Sequence, residues 1–517
     1  MLSRRSLCAV LVTCLLVTAC TSLSANIAPG TAPGASGTPA APSPASVEAT
    51  PLTAPASPSA THTNMPVPTV VKRNPEPLRE VIAAGSSVVT YTVQPGDTVV
   101  HIAGAVGDTP ANLRRINGMN RSEEVLAGQS IIVHLPFAGH APAIKLVPDS
   151  EVVDSPTAAK FDIARFMAEH PNSYLNRYHE KFDGRDTDGP HIVLRVAQEL
   201  SVHPRILLAL LEYVSGWISN PSPSGNNLLY PLGIKNANRR TLSRQLSWAG
   251  ARLNEGYYGW RLANRLWVQF SDNTHAYAGS DVNAGTAAVQ NYLAAIGTHS
   301  TLPAMAGDGP RSFVHTYEEL FGDPWQFDLG TLVPDNLRQP TMTLPFSKGE
   351  MWMITGGPHA AWGMGSPWAA LDFAPRNSTS CRVLPGWILS VAPGIITRSI
   401  DGEVSESLDP SGDERTGWSV FYMHVGTPDR VSVGQTVQTG DHIGHPSCEG
   451  GDATGSHLHI ARKYNGEWIP AGGNIPFDLS GWVATDGNAE YDGSLSNGSL
   501  TRYPCDCKDP NTNGIVW

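Results

Sequence analysis

Apolar positions divide the chain into stretches of different period. A largely apolar run, Leu7 to Val17, stands behind Arg4 and Arg5. Residues 21–86 then hold Ala, Pro, Ser and Thr without periodicity, which buries too little apolar area to offset the entropy of ordering. A disordered spacer is expected there. Alternation returns at Tyr91-Thr-Val-Gln-Pro-Gly96-Asp97-Thr98, helical spacing runs through Ile102 and then Leu113 and Ile116, and alternation resumes at Ile131-Ile-Val133. That pattern predicts a βααβ unit over 88–137. From 157 to 335 apolar residues recur three and four apart, as in Ile192–Leu200 and Pro204–Trp217, with Pro204 in a first turn and Gly216 at an end. An all-helical unit follows. Over 342–475 short β-branched runs broken by glycine predict a mainly antiparallel sheet, with 476–517 as a C-terminal extension. The predicted class is multidomain α+β.

A chain of 517 residues and 55.1 kDa exceeds one ordinary core, and at about 150 residues per domain it holds roughly three folded units. A formal charge of −11 and a pI near 5.8 exclude the electrostatic footprint of nucleic-acid binding, so no such partner is expected. No apolar run beyond residue 20 approaches the roughly 20 residues that span a bilayer.

The run Leu7–Val17 is too short for a stable span and follows two cations, so residues 1–20 read as an export signal. Its end, Val17-Thr18-Ala19-Cys20, resembles the bacterial lipoprotein lipobox, which implies cleavage before Cys20, diacylation of its thiol and a membrane lipid anchor. An ordinary secretory signal containing Cys20 is the alternative. Either places the protein outside the cytoplasm. Of seven cysteines, Cys8 and Cys14 leave with the signal, and Cys381, Cys448, Cys505 and Cys507 meet an oxidising setting. Four cysteines allow three connectivities, of which we expect Cys381–Cys448 with Cys505 and Cys507 as a local staple.

The Tyr91-Thr-Val-x-x-Gly96-Asp97-Thr98 opening and the Ala127-Gly-Gln-Ser-Ile131 ending resemble the LysM module over its whole length. The resemblance implies binding of N-acetylglucosamine-containing glycans such as peptidoglycan. Gly96, Asp97 and Thr98, with residues of about 120–127, would wall the groove. Alone, those three residues are also a helix-capping turn.

The run Val202 to Trp217 resembles the helix that carries the catalytic acid of lysozyme-like lytic transglycosylases, where a glutamate precedes Ser-Gly. Here that place is Val214, ahead of Ser215 and Gly216. Valine has no proton to give, and Glu212, about 200° round the helix, points elsewhere. The unit reads as a non-catalytic glycan groove or spacer, or as a plain structural bundle.

Three pieces of the C-terminal region carry chemistry: Ala370-Leu-Asp372, Tyr422-Met-His424-Val, and Gly455-Ser-His457-Leu-His459. In a strand, period two turns His457 and His459 to one face with Leu458 on the other. A carboxylate and further imidazoles from neighbouring strands make a nitrogen-and-oxygen site suited to zinc. The set resembles the lysostaphin-type zinc murein endopeptidases over about 345–472. It implies Asp372 and His459 as metal ligands, His424 and His457 as the catalytic histidines beside them, one Zn2+, and peptide cross-links or stems of peptidoglycan as substrate. One position departs: where that family places its first histidine ligand, this chain has Trp368. His359, across a glycine-containing insertion, is the expected replacement, with a metal-free loop histidine as the alternative. The leading expectation is an exported, lipid-anchored zinc murein endopeptidase targeted by LysM. The rivals are an inactive wall-binding protein that recruits another hydrolase, and a structural wall anchor.

Overall fold

The computed structural model describes residues 77–83, 85–378 and 380–517. Cys20, the leader and most of the expected spacer lie outside them. The spacer's last stretch is corrected, because Pro77–Ala83 is a helix (α1). Leu78, Val81 and Ile82, at helical spacing, are buried in the neighbouring core.

The βααβ unit consists of β1 (Val88–Thr92), α2 (Val99–Val106), α3 (Pro110–Ile116) and β2 (Ser130–His134), with β1 and β2 antiparallel. Thr98 caps α2 by accepting from His101 N at 3.1 Å, and Thr109 caps α3 in the same way. The back of α2 docks on the helical region. Trp267 Nε1 donates to Gly104 O, Tyr277 OH to Val106 O, and Phe137 stacks on His275.

The middle region is mostly helical: α4 (Ile163–Ala168), α5 (Gly189–Leu200), α6 (Pro204–Ser215), α7 (Asn226–Leu229), α8 (Leu242–Arg261), α9 (Ala284–Ile296), α10 (Leu302–Met305) and α11 (Phe313–Phe321). The all-helical expectation is corrected by two hairpins. Strands β3 (His179–Phe182) and β4 (Arg185–Asp188) pair antiparallel, as do β5 (Trp267–Gln269) and β6 (His275–Tyr277). Asp183-Gly184 joins the first pair with both residues at positive φ, the two-residue turn that matches strand twist. Glu151, fully buried, ties the region together by accepting two hydrogen bonds from Arg205 and one from Thr157.

The C-terminal region forms a nine-stranded sheet, antiparallel throughout. Its strands are β7 (Trp352–Ala360), β8 (Trp368–Pro375), β10 (Gly394–Ile400), β11 (Glu403–Ser407), β12 (Trp418–Met423), β13 (Thr436–Val437), β15 (Leu458–Tyr464), β16 (Glu467–Trp468) and β21 (Gly514–Ile515). The order is β13-β10-β11-β12-β15-β8-β7-β21, and β16 pairs with β15. Two short strands, β9 (Ile388–Leu389) and β14 (His442–Gly444), pair beside it. Residues 476–517 add more than an extension: β21 closes one edge of the sheet on β7, and β17 (Asp478–Leu479), β18 (Trp482–Thr485), β19 (Ser494–Ser496) and β20 (Thr501–Arg502) form a second small sheet.

Helical region and sheet meet through a polar seam. Glu467 accepts from Arg261 and Tyr257, Trp468 N donates to Tyr258 OH, and Ser201 Oγ donates to Gly466 O. Arg195 pairs with Glu403 at 2.6 Å, and Arg185 at the β3–β4 tip with Asp401. No described helix is long and apolar enough to cross a membrane.

Candidate metal centre

In the antiparallel ladder His459 of β15 lies directly opposite Asp372 of β8. Leu458 between the two histidines is fully buried in the core on the other face. The third group comes from β7, whose register on β8 slips between Ile354 and Gly356, between Gly356 and His359, and between His359 and Ala360. Such irregularities re-aim side chains. His359 Nε2 comes 2.9 Å from His459 Nδ1 and 3.2 Å from Asp372 Oδ1, while His459 Nδ1 is 3.2 Å from the same oxygen. Trp368 pairs with Ala360 at the other end of β8, so the imidazole that joins Asp372 and His459 comes from position 359.

Backbone carbonyls orient both rings. His359 Nδ1 donates to Gly357 O at 2.8 Å and His459 Nε2 to Ala361 O at 2.9 Å. A carbonyl only accepts, so each ring carries a proton on its outer nitrogen, which leaves the facing nitrogen to hold either a second proton or a metal. Asp372 Oδ1 is buried and accepts no hydrogen bond, although two imidazole nitrogens stand 3.2 Å away. Three donor atoms converging on one buried point call for a proton or a metal cation between them. Their separations approach the roughly 3.3 Å edge of a tetrahedron with 2.0 Å bonds, and two nitrogens with one carboxylate oxygen are a donor set that zinc accepts. The residues fit the metal.

Burial opposes ionisation of Asp372, yet the adjoining imidazoles of His359 and His459 hold its carboxyl well below the usual range. His424 follows β12 at φ 65°, a left-handed conformation that few side chains adopt. Its Nδ1 donates to Glu449 O at 3.1 Å, and its ring centroid lies 4.3 Å from that of His457. Burial, then the neighbouring His457 and His459, push its pKa down to about 3. His457 donates from Nδ1 to Gly455 O at 2.7 Å and turns Nε2 toward Asp372 Oδ1, 3.7 Å away. The structure thus gathers His359, Asp372, His424, His457 and His459 in one place. A disulfide joins Cys381 to Cys448 and another Cys505 to Cys507.

One neighbour escapes sequence reasoning. Tyr491 stacks on His359 with ring centroids 4.3 Å apart and an interplanar angle of 18°, and its backbone exchanges hydrogen bonds with Gly357 and Pro358. Glu490 Oε1 accepts from Ala360 N at 2.9 Å. These residues sit in a Gly-, Asp- and Asn-rich tail with no motif to mark them.

Away from the centre, Asp97 accepts from Tyr91 OH and from Gln94 N. Burial raises its pKa, but hydrogen bonds from His101 and Tyr91 prevail and leave it lowered. Side chains added at Gly96 or Gly128 would meet nothing within 4 Å, and Leu126 is 73% exposed, so this turn faces open space. In α6, Val214 occupies the expected place, and Glu212 accepts from Ile218 N and Ser219 N, capping the chain beyond the helix.

Residues 91–134 match the LysM domain family, and residues 145–336 match the family described as LasA, N-terminal domain. The second match covers the middle region and is to a family other than the lysozyme-like one. The chain is 25% identical over 291 residues to "Protease LasA" of Pseudomonas aeruginosa, covering 52% of this chain and 64% of that one. It is 28% identical over 171 residues to "Beta-lytic metalloendopeptidase" of Achromobacter lyticus, covering 31% of this chain and 42% of that one. Among solved structures, the M23 metalloprotease pseudoalterin aligns with 24% identity and a TM-score of 0.27 over 32% of this chain and 96% of its own. The chain thus spans under two thirds of the length of these curated relatives, and combines a LysM domain, a LasA-type N-terminal domain and a C-terminal region similar to metallopeptidases.

Proposed function

We propose that this protein is an extracytoplasmic zinc metalloendopeptidase that cuts peptide bonds of peptidoglycan. The convergence of His359 Nε2, Asp372 Oδ1 and His459 Nδ1 carries the reading. Zinc there would supply a Lewis acid and bring the pKa of a bound water down to about 7. Asp372 would contribute a full negative charge, and the carbonyls of Gly357 and Ala361 would hold both rings with their facing nitrogens aimed at the metal. His424, uncharged with Nδ1 committed to Glu449, would offer Nε2 to take or hold a proton. His457, held by Gly455, would stand on the same side to stabilise negative charge developing on the scissile carbonyl.

The relatives named protease and metalloendopeptidase support peptide hydrolysis, and the LysM domain supports a wall polymer as substrate. Gly96, Asp97 and Thr98 would line the glycan groove, and binding there would raise the local concentration of the catalytic region on an insoluble polymer. The leader, the lipid on Cys20 and a spacer ending near residue 76 would tether the protein to a membrane and set its reach. The proposed division is LysM at 88–137, the middle domain at 157–335 and the peptidase from 342, with 476–517 packed on it. Elemental analysis of purified protein tests the reading together with amino groups released from peptidoglycan. One zinc per chain and release abolished in His459→Ala are expected. Metal-free protein that binds walls without cleaving them would establish the recruiter instead.

A further inference from the structure

The protein carries a net charge of −11, yet residues 213–254 contain Lys235, Arg239, Arg240, Arg244 and Arg252 and not one Asp or Glu. The fold gathers part of this charge in a cavity of about 780 Å³ between the β3–β4 hairpin and the start of α8. Lys181, Arg239 and Arg244 supply its cations, Thr241 and Ser243 its hydroxyls, and Phe182 an aromatic wall; no carboxylate lines it.

The surroundings leave this charge for something outside the chain. Glu180, which adjoins Lys181 in sequence, is consumed: it accepts from Tyr178 OH at 2.6 Å, Leu242 N at 2.9 Å and Ser243 N at 3.0 Å, so it caps α8. Lys181 meets Asp186 only at 3.9 Å, and Arg244 donates to Asn238 O. The Arg239 guanidinium, half-buried, has no ion-pair or hydrogen-bond partner among the described residues. Five fixed donors in a planar fork, partly desolvated and unused, suit a carboxylate.

We propose that this cavity binds a carboxylate-bearing segment of the wall polymer on which the LysM domain and the metal centre act; the identity of that polymer rests on the function proposed above. Arg239 takes the carboxylate as a fork, Lys181 and Arg244 set the surrounding field, and the hydroxyls and Phe182 meet the neutral parts of the strand. Stem peptides carry such carboxylates. The hairpin that walls the cavity also reaches the peptidase region, where Arg185 pairs with Asp401 and Gly402 O accepts from Val425 N, next to His424. A strand held in the cavity therefore lies on an element in contact with the rim of the metal centre.

The test is cosedimentation of the full exported chain with insoluble sacculi, in chelator so that cleavage cannot remove the polymer. Arg239→Gln, which breaks no side-chain hydrogen bond or ion pair among the described residues, is expected to weaken binding about fivefold, and Lys181→Gln also to weaken it. Amidating the sacculus carboxylates is expected to abolish the difference between variant and parent. Equal binding of Arg239→Gln and parent to native sacculi overturns this proposal and leaves the peptidase reading intact. A difference that survives amidation and vanishes on removing phosphate-containing polymers overturns it in favour of phosphate. A parent that does not bind sacculi defeats the wall reading and this proposal with it.

Discussion

Gly356 lies opposite Asp372 across the β7–β8 ladder, and a Cβ placed on it would sit 2.5 Å from Asp372 Oδ2. The missing side chain is what lets the carboxylate lie against β7 and meet His359. Gly356→Ala should displace Asp372 and lower zinc affinity by about tenfold or more, read by competition with a chromogenic chelator, while far-UV circular dichroism stays unchanged.

His359 and Trp368 make opposite predictions. His359→Ala should lose bound zinc and peptide hydrolysis together, whereas Trp368→His should leave stoichiometry at one metal, because position 368 pairs with Ala360 at the far end of its strand. Elemental analysis of both variants decides the matter, and retention of zinc in His359→Ala would refute the assignment.

Tyr491 holds the His359 ring by stacking, in addition to the Gly357 carbonyl. Tyr491→Ala should weaken metal binding by roughly 10-fold, and Tyr491→Phe should restore it, since the stacked face and not the hydroxyl makes the contact. Metal titration of the two variants separates ring from hydroxyl.

Glu212 spends its carboxylate on Ile218 N and Ser219 N beyond the end of α6. Glu212→Ala should cost about 1 kcal/mol in urea unfolding and leave specific activity on peptidoglycan unchanged. Loss of activity in folded variant protein would revive a glycan-cleaving role for the helical region.

Asp154 lies at the seam beneath Gly466. Burial pushes its carboxyl from 3.8 up to about 7, against the pull of Arg415 and Lys463. Between those values the folded chain holds a proton that the unfolded chain has released, so this group's contribution to stability falls as pH rises through the window and is flat above it. Asp154→Asn should flatten that slope, gaining about 1–3 kcal/mol relative to the parent on going from pH 4 to pH 8. Urea midpoints of parent and variant at the two pH values measure it.

Much of the centre is legible because its signals are local. The His457-Leu458-His459 spacing carries its own geometry, since strand period two alone sends both imidazoles to one face. Asp183-Gly184 is a two-residue hairpin signal that goes unread, because the flanking His179–Phe182 and Arg185–Asp188 are mostly polar and carry no apolar alternation. Tyr491 and Glu490 were not legible: each reaches the site through one ring or one carboxylate from a tail without periodicity.

The amino-acid order alone determined the segment types, the LysM unit, the helical middle, the sheet region and the residue kinds that suit zinc, because backbone period and capping act within a few residues. Only the tertiary structure decided which imidazole completes the set, that the tail closes the sheet and buttresses His359, and that Lys181, Arg239 and Arg244 gather beside the β3–β4 hairpin. Those outcomes depend on ladder register, on bulges in β7 and on packing between residues a hundred or more positions apart, and no local pattern encodes a register that a single inserted residue would shift.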